Sequence, residues 1–385
     1  MRGFFSKKET ESVSAVGGKI HSCASCGLYK HCKTPKMKPY GNFKKEIIIL
    51  GRAPDRLEDR NNELWQGKEG RLLERTLRNF GIDLFQDCLS LNAVNCRPKD
   101  GREPERQEID HCRSVVVWEQ LLNRMPKVII CLGKEALMSV YGHRWHRSLS
   151  TTKFGGMTIP DQDLKAWVCP TWHPQKIIEM KHADDVRYMW VNDLQRAVEK
   201  LEEPFLRVPK PKIDIVEDLS FLNDFREDQL AAFDYETTGI KPHAKGHRIV
   251  ACAIADTADH AWAFEMPKTR KGRLPFRKWL WNKRIRKIAH NAKFEHAWSK
   301  EILKVEVRGW EWDSMLAAHL IDNRRGITSL KFQALAHFGI TDYSSHIEPY
   351  FQSKENHGNA KNRIHDLMET KSGTQDLLTY CGLDA

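Results

Sequence analysis

Asp234 and Glu236 in FDYETTG, Glu295 in HNAKFEHAW and Asp384 in YCGLDA are acids set in patterns that can hold a hard cation. Such cations prefer oxygen ligands, and a pair of them suits phosphodiester cleavage. One lowers the pKa of the attacking water and the other stabilises the leaving oxygen. Asp234 and Glu236 end an apolar run, Leu230–Tyr235, that reads as a buried strand closed by Gly239. Residues two apart on a strand share a face, so both carboxylates can meet one ion. Glu295 follows a second short strand, Lys287–Ala289. It opens a helix whose apolar positions Phe294, Ala297, Trp298 and Ile302 recur at helical spacing. Tyr380 and Asp384 stand four apart, which puts a phenol and a carboxylate on one helix face. The expected ligands of two Mg²⁺ or Mn²⁺ ions are Asp234, Glu236 and Asp384, with Asp234 bridging. Glu295 would bind directly or through water, Tyr380 would orient the nucleophilic water, and Asp313 is a weaker candidate to help.

These motifs resemble the 3′–5′ exonuclease domain of family A DNA polymerases, in the group with a tyrosine in its third motif. The resemblance runs from about Ile213 to the last residue and includes WDSMLAAHLIDN. It implies a ribonuclease-H-like α/β fold and a substrate of single-stranded DNA or DNA 3′ ends. It also implies substrate contacts from Asn291 and Phe294 of the second motif. That motif normally carries Asp after Asn-x-x-aromatic, whereas here Glu295 follows Phe294. Glu keeps the charge on a stem one methylene longer, which bears on rate and metal preference.

The chain has 385 residues, enough for two domains, and is 41% hydrophobic, enough for a core in each. No apolar run reaches membrane-spanning length, and the start MRGFFSKKETES is neither a signal peptide nor a transit peptide. The expectation is a protein of the cytoplasm, in a bacterium or a phage-infected host, with no membrane partner. The net charge is +11. A basic surface around acidic metal sites is what an enzyme cutting a polyanion needs. Basic runs occur at Lys30–Lys45, Lys268–Lys278 and Lys283–Lys287. The stretch from His143 to Arg147 interleaves cations with an aromatic, as single-strand binders do.

A flexible tail is expected over residues 1–20, then alternating strands and helices over 21–201, a linker over 202–212 and a second domain over 213–385. Strands read at Glu46–Leu50, Leu89–Val94, Lys127–Leu132 and Ala166–Thr171. Helices read at Arg71–Phe80, Gln107–Arg124, Lys134–Tyr141 and Asp184–Leu201. This alternation implies a parallel sheet between helices, with functional loops after the strand ends. The chain stops at Ala385 in the middle of a helical pattern, which hints at a continuation.

Ten cysteines are present. Cys131 in VIICLG and Cys252 in IVACAIA read as core residues. Cys23 and Cys26 form a C-x-x-C, and thiolates there suit an iron–sulfur cluster and zinc alike. The loops after three strands carry GRAPD at Gly51–Asp55, LNAVNCRP, and TWHPQ at Thr171–Gln175. Their order and spacing, together with Cys23, Cys26, Cys96 and Cys112, resemble the iron–sulfur uracil-DNA glycosylases over most of Ser22–Lys200. The resemblance implies a parallel α/β/α sandwich and a [4Fe–4S] cluster on those four cysteines, with zinc as the alternative and Cys32 spare. It also implies a base pocket with Trp65 stacking, Asn92 reading the base edge and His173 stabilising the departing base anion. Read by themselves, Trp65 fits a core position, Asn92 a strand-end cap and His173 a turn before Pro174.

One departure bears on activity: the family pattern in the first loop is Gly-Glu-Ala-Pro-Gly, where this chain has Arg52 and Asp55. Uracil excision is therefore expected to be weak. The order of the two domains resembles the front of fused phage DNA polymerases, so a polymerase domain or protein is an expected partner. The rival expectations are an active glycosylase–exonuclease repair fusion and a non-catalytic, DNA-binding polymerase accessory.

Overall fold

The computed structural model describes residues 23–180, 183–355 and 359–385, so the expected tail over residues 1–20 lies outside the described residues. The chain divides into two compact units. One comprises the residues up to Val208 with Gln333–Thr341, and the other Pro209–Phe332 with Asp342–Ala385.

The first unit is built on five strands, β1 Ile47–Gly51, β2 Cys88–Asn92, β3 Val128–Leu132, β4 Ile159–Asp161 and β5 Ala166–Thr171, in the order β2-β1-β3-β5-β4. The runs IIILG, CLSLN and VIICL are apolar at nearly every position because helices cover both faces of the sheet. β1, β2, β3 and β5 are mutually parallel, so their carboxyl ends share one edge. β4 departs from the all-parallel expectation: it pairs antiparallel with β5. Four residues join the two strands, with Lys165 at φ 53, and so short a connection permits only an antiparallel pair. Pro160 sits on this edge strand, where a missing N–H costs no ladder bond.

The helix expected over Gln107–Arg124 is interrupted. Arg106–Cys112 and Trp118–Arg124 are α-helical, and a wider π turn, Arg113–Val117, joins them immediately after Cys112. Of the stretch His143–Arg147, His146 and Arg147 are exposed, but Arg144 and Trp145 turn inward. Arg144 is buried against Asp161 at 2.8 Å and Asp163 at 2.7 Å, and lies over the rings of Trp118 and Tyr141. Trp145 is in the core. A cation paired with two carboxylates and two rings has no charge left over for phosphate.

The second unit has six strands, β6 Lys212–Ile215, β7 Leu230–Thr237, β8 Ile249–Thr257, β9 His260–Glu265, β10 Arg286–Ala289 and β11 Trp310–Asp313, in the order β11-β10-β7-β8-β9-β6. The sheet is mixed. β7, β8 and β9 run antiparallel in sequence, while β10 and β11 are parallel to β7. Alternation along β7 sends Phe233 and Tyr235 into an aromatic core with Phe264, Phe276, Trp279 and Trp298. Asp234 and Glu236 therefore face the other way. The helix Lys371–Asp384 packs against that sheet, and the Cys381 thiol meets the Asp234 carbonyl at 3.7 Å.

Lys287, read from sequence as part of a basic surface run, is fully buried. Its ammonium donates to the carbonyls of Asn282, Ile285 and Arg308 at 2.8, 3.1 and 3.0 Å, and it lies over the Trp279 ring. Three carbonyls face the amine without a carboxylate, and burial pulls its pKa down to about 7. Lys287→Met keeps the length and removes the donors. It should destabilise this unit by about 2–4 kcal/mol, because the carbonyls lose their partner in a buried place. The midpoint of urea unfolding, read by tryptophan fluorescence, checks this; a loss below about 1 kcal/mol would mean that water already serves those carbonyls.

Candidate active sites

The acids of the second unit converge. Ligand atoms of Asp234, Glu236 and Cys381 lie within 4.8 Å of one another. Burial first, and the Asp384 charge second, hold the Asp234 carboxyl above its ordinary range. Burial followed by Asp234 and Asp384 does the same to Glu236. Glu295 is 2% exposed; burial and then Asp234 push it up to about 9. Its Oε2 is buried with no hydrogen-bond partner. Carboxylates that crowd one another out of water keep protons until a cation replaces them. The half-buried Asp234 and the buried Glu236, both with raised pKa, and the orphaned oxygen of Glu295 fit a divalent-metal site. The helix start at Asn291, with φ 77, turns the chain so that Glu295 comes inward one helical turn later. Phe294 is half-buried and packs beside Trp298.

Asp384 behaves differently from the other acids. Its Oδ1 accepts from the Lys331 ammonium and from the Tyr343 hydroxyl at 2.5 Å. Tyr380 lies beside it, its phenol raised well above the ordinary range by burial and then by Asp384. Asp313 is occupied elsewhere. Its carboxylate accepts from the backbone N–H groups of Asn291, Ala292, Met315 and Leu316, capping one helix and bracing the start of another. That makes it a positioning residue for the Glu295 segment. Sequence reading missed Lys331, Tyr343 and Cys381. Cys381 had a signal available, since it adjoins Tyr380; the other two had none.

In the first unit, Gly51, Asn92 and His173 all lie at the carboxyl edge of the sheet. A Cβ on Gly51 would stand 2.3 Å from Asn92 Oδ1 and 3.4 Å from the Trp65 ring, so only glycine lets these side chains close in. Trp65 and His173 have ring centroids 6.0 Å apart. Glu58 accepts from the Trp65 backbone N–H and holds the indole's segment in place. The Asn92 amide nitrogen and Trp65 Nε1 are buried without partners. His173 Nδ1 accepts from the Gln175 N–H at 3.2 Å, which leaves the proton on Nε2. Burial, and then Arg52, push its pKa down to about 3, so the ring is neutral. A neutral imidazole that donates from Nε2 suits a base oxygen that gains negative charge.

The first loop is milder than its sequence implies. Asp55 has an unstrained φ of −81, and its carboxylate accepts from the Glu58 N–H to cap the helix Arg56–Asn61. Its charge nevertheless acts on Glu58, where burial first and Asp55 among the lesser causes push the carboxyl up to about 7. Arg52 donates to Gln175 at 3.0 Å.

Cys23, Cys26, Cys96 and Cys112 line one small cavity with Leu28, Asn95 and Val116, and Cys32 does not line it. Lys36 N donates to Cys96 Sγ at 3.2 Å, and Asn95 N to Cys112 Sγ at 3.4 Å. Burial pushes Cys96 up to about 12 and Cys112 to about 11. Thiols in such a place become thiolates only with a cation to pay for the charge. Among the described residues, no three of these sulfurs lie within 4.8 Å of one another. Four thiols around one cavity suit an iron–sulfur cluster and zinc alike.

The comparisons agree with both halves. Residues 38–195 match the Uracil DNA glycosylase superfamily and residues 213–385 match a 3′–5′ exonuclease family. The type-4 uracil-DNA glycosylase of Saccharolobus solfataricus is 30% identical over 166 residues, 43% of this chain and 76% of that protein. The chain belongs to the uracil-DNA glycosylase superfamily and carries a 3′–5′ exonuclease domain. The type-4 enzyme of Archaeoglobus fulgidus is 36% identical over 131 residues, 34% of this chain and 64% of its own length. The DNA polymerase of Bacillus phage SP01 is 24% identical over 326 residues, 75% of this chain but 34% of that protein. Among the described residues no helix is long and apolar enough to cross a membrane.

For the glycosylase-family unit this gives a direct prediction. Cys96→Ser should lose the bound metal and destabilise the unit, whereas Cys32→Ser should leave metal content unchanged. Elemental analysis and visible absorbance of anaerobically purified protein check it. Zinc without iron would exclude a cluster.

Proposed function

We propose that this chain is a 3′–5′ DNA exonuclease of proofreading type that depends on Mg²⁺ or Mn²⁺, joined to a glycosylase-family module that binds DNA. The observation that carries the reading is the close group Asp234, Glu236 and Cys381, together with the buried Glu295, whose carboxyl the Asp234 charge raises and whose Oε2 is orphaned. When bound, two divalent ions would supply an activated water and stabilise the leaving 3′ oxygen. Asp234 and Glu236 would hold them, with Asp384 joining once released from Lys331. Glu295 would bind directly or through a water. Tyr380 stands beside Asp384, where its hydroxyl can orient the attacking water. Asn291 and Phe294, at the start of the Glu295 helix, are the proposed contacts to the terminal nucleotide.

In the first unit, Cys23, Cys26, Cys96 and Cys112 would hold a [4Fe–4S] cluster that clamps the N-terminal segment to the sheet. Trp65, Asn92 and His173 would receive an extruded base. Exposed lysines from Lys30 to Lys45 support binding to a phosphate backbone. The long similarity to a phage polymerase supports a polymerase as partner. On this reading the protein works in the cytoplasm of a bacterium, native or phage-infected.

The test is release of nucleotides from an oligonucleotide labelled at either end, with Mg²⁺, Mn²⁺ or excess chelator. Stepwise loss from the 3′ end that stops in chelator is expected. Release that survives chelator, or proceeds from the 5′ end, would overturn the reading. A parallel RNA substrate distinguishes DNA from RNA preference.

A further inference from the structure

Lys331 sets a cation against the acids of the exonuclease centre. It sits in the first turn of the helix Leu330–Phe338, while Asp384 ends the helix Lys371–Asp384. Its ammonium pairs with Asp384 Oδ1 and lies 3.9 Å from the Tyr343 ring centroid and 4.1 Å from that of Tyr380. The lysine side chain is 11% exposed and that of Asp384 9%. Its charge also reaches Asp234 and Glu236, where it works against the repulsion among the acids.

Two features set this ion pair apart from an ordinary surface contact. First, the carboxylate it neutralises is one of the proposed metal ligands, so ammonium and dication compete for the same oxygen. Second, the two rings hold the ammonium from the side, so that losing Asp384 does not send it into water. Lysine is a point charge on a flexible stem and a good partner for phosphate oxygens. A phosphodiester held at this centre brings its non-bridging oxygens next to the place where the ammonium already is.

We propose that Lys331 is a further catalytic residue of this centre. It holds Asp384 before substrate arrives; with Asp384 given over to a divalent cation, Lys331 would be free to meet a non-bridging oxygen of the scissile phosphate. There it stabilises the charge that builds on that oxygen as the bond to the 3′ oxygen breaks. The proposal rests on reading the centre as a metal-dependent nuclease.

The test compares wild type, Lys331→Met and Lys331→Arg in two measurements. One is Mn²⁺ binding by calorimetry without DNA, which needs no turnover. The other is single-turnover nucleotide release at saturating Mn²⁺. With the competing ammonium gone, Lys331→Met should bind Mn²⁺ about tenfold tighter, the scale on which a neighbouring charge shifts a carboxylate. Its turnover should nevertheless fall about a hundredfold, the loss typical of one donor to a developing anion. Lys331→Arg should recover part of the turnover. If Lys331 merely anchors Asp384, the Met variant will bind Mn²⁺ more weakly, and that overturns the proposal. Tighter Mn²⁺ binding with unchanged turnover overturns it too. Wild type that binds Mn²⁺ but releases no nucleotide sinks the exonuclease reading and the catalytic role with it. Wild type that turns over while the Met variant matches it in both measurements sinks the role of Lys331 alone.

Discussion

Asp234→Ala should abolish nucleotide release, by at least about a thousandfold in single-turnover rate. A metal-bridging carboxylate contributes to both the attacking water and the leaving oxygen, and a thousandfold corresponds to about 4 kcal/mol of transition-state stabilisation. The fold should survive, because Asp234 lies on the face of β7 opposite the aromatic core. The substitution should even stabilise the metal-free protein at high pH. Glu295, Asp234 and Glu236 all have carboxyl pKa values raised in the folded state, Glu295 from 4.5 to about 9. The folded form therefore binds more protons than the unfolded form between those values. Stability is fully present below the unfolded pKa and is lost as pH rises through the folded one. In chelator, the thermal midpoint should fall from pH 5 to pH 9, and Mn²⁺ should raise it most at the alkaline end. Asp234→Ala should flatten the fall by removing one of the repelling charges. A midpoint in chelator that climbs over this range would contradict the crowding of the acids, and residual exonuclease in the variant would contradict the ligand assignment.

The acidic centre was legible because its first part is local. Period-two alternation alone sends Asp234 and Glu236 to one face of β7 while Phe233 and Tyr235 go to the other. Four-residue spacing likewise brings Tyr380 and Asp384 together. Lys331 and Tyr343 were not legible in the same way. They reach Asp384 from 53 and 41 residues away, and only the packing of a separate helix and a separate loop puts an ammonium and a phenol there. The misread basic stretches have the same cause. Whether Arg144 faces DNA or Asp161 depends on the hairpin of β4 and β5, and whether Lys287 is wet depends on which face of β10 is covered. Charge in a sequence says that a partner is needed, without saying whether the partner is a phosphate or the chain itself.

The glycosylase-like site divides along the same line. Asn92 and His173 follow strand ends, and parallel strands must bring such loops to one edge. The effect of Asp55 could not be read that way. Its carboxylate has a local use, closing a capping box with Glu58, and that use takes it out of the pocket.

Uracil excision should be at least about a hundredfold below that of an active relative tested alongside, and Arg52 is the expected reason. On the proposed reading, Trp65, Asn92 and His173 form the half of the site that receives the base. His173 is neutral with its proton on Nε2, and the Asn92 amide nitrogen is buried and unpartnered, ready for a base edge. Asp55 is engaged as a helix cap, and the charge that reaches His173 is that of Arg52. The Arg52 guanidinium turns to Gln175 and acts on His173, which is the side where negative charge leaves. Its own charge does no harm there. What the loop lacks is the carboxylate that the family pattern carries at this position, on the sugar side, where positive charge develops in a dissociative cleavage. Arg52→Glu alone should therefore raise excision, and Asp55→Gly should add nothing. The assay is abasic-site formation on uracil-containing single- and double-stranded DNA, with every variant built on Asp234→Ala so that the substrate survives. Binding should remain in all of them and weaken steeply with salt, because the exposed lysines are untouched. Efficient excision by the parent that disappears in His173→Ala would show that the missing acid is dispensable. Gain only when Asp55 is replaced as well would show that the cap, after all, constrains the loop.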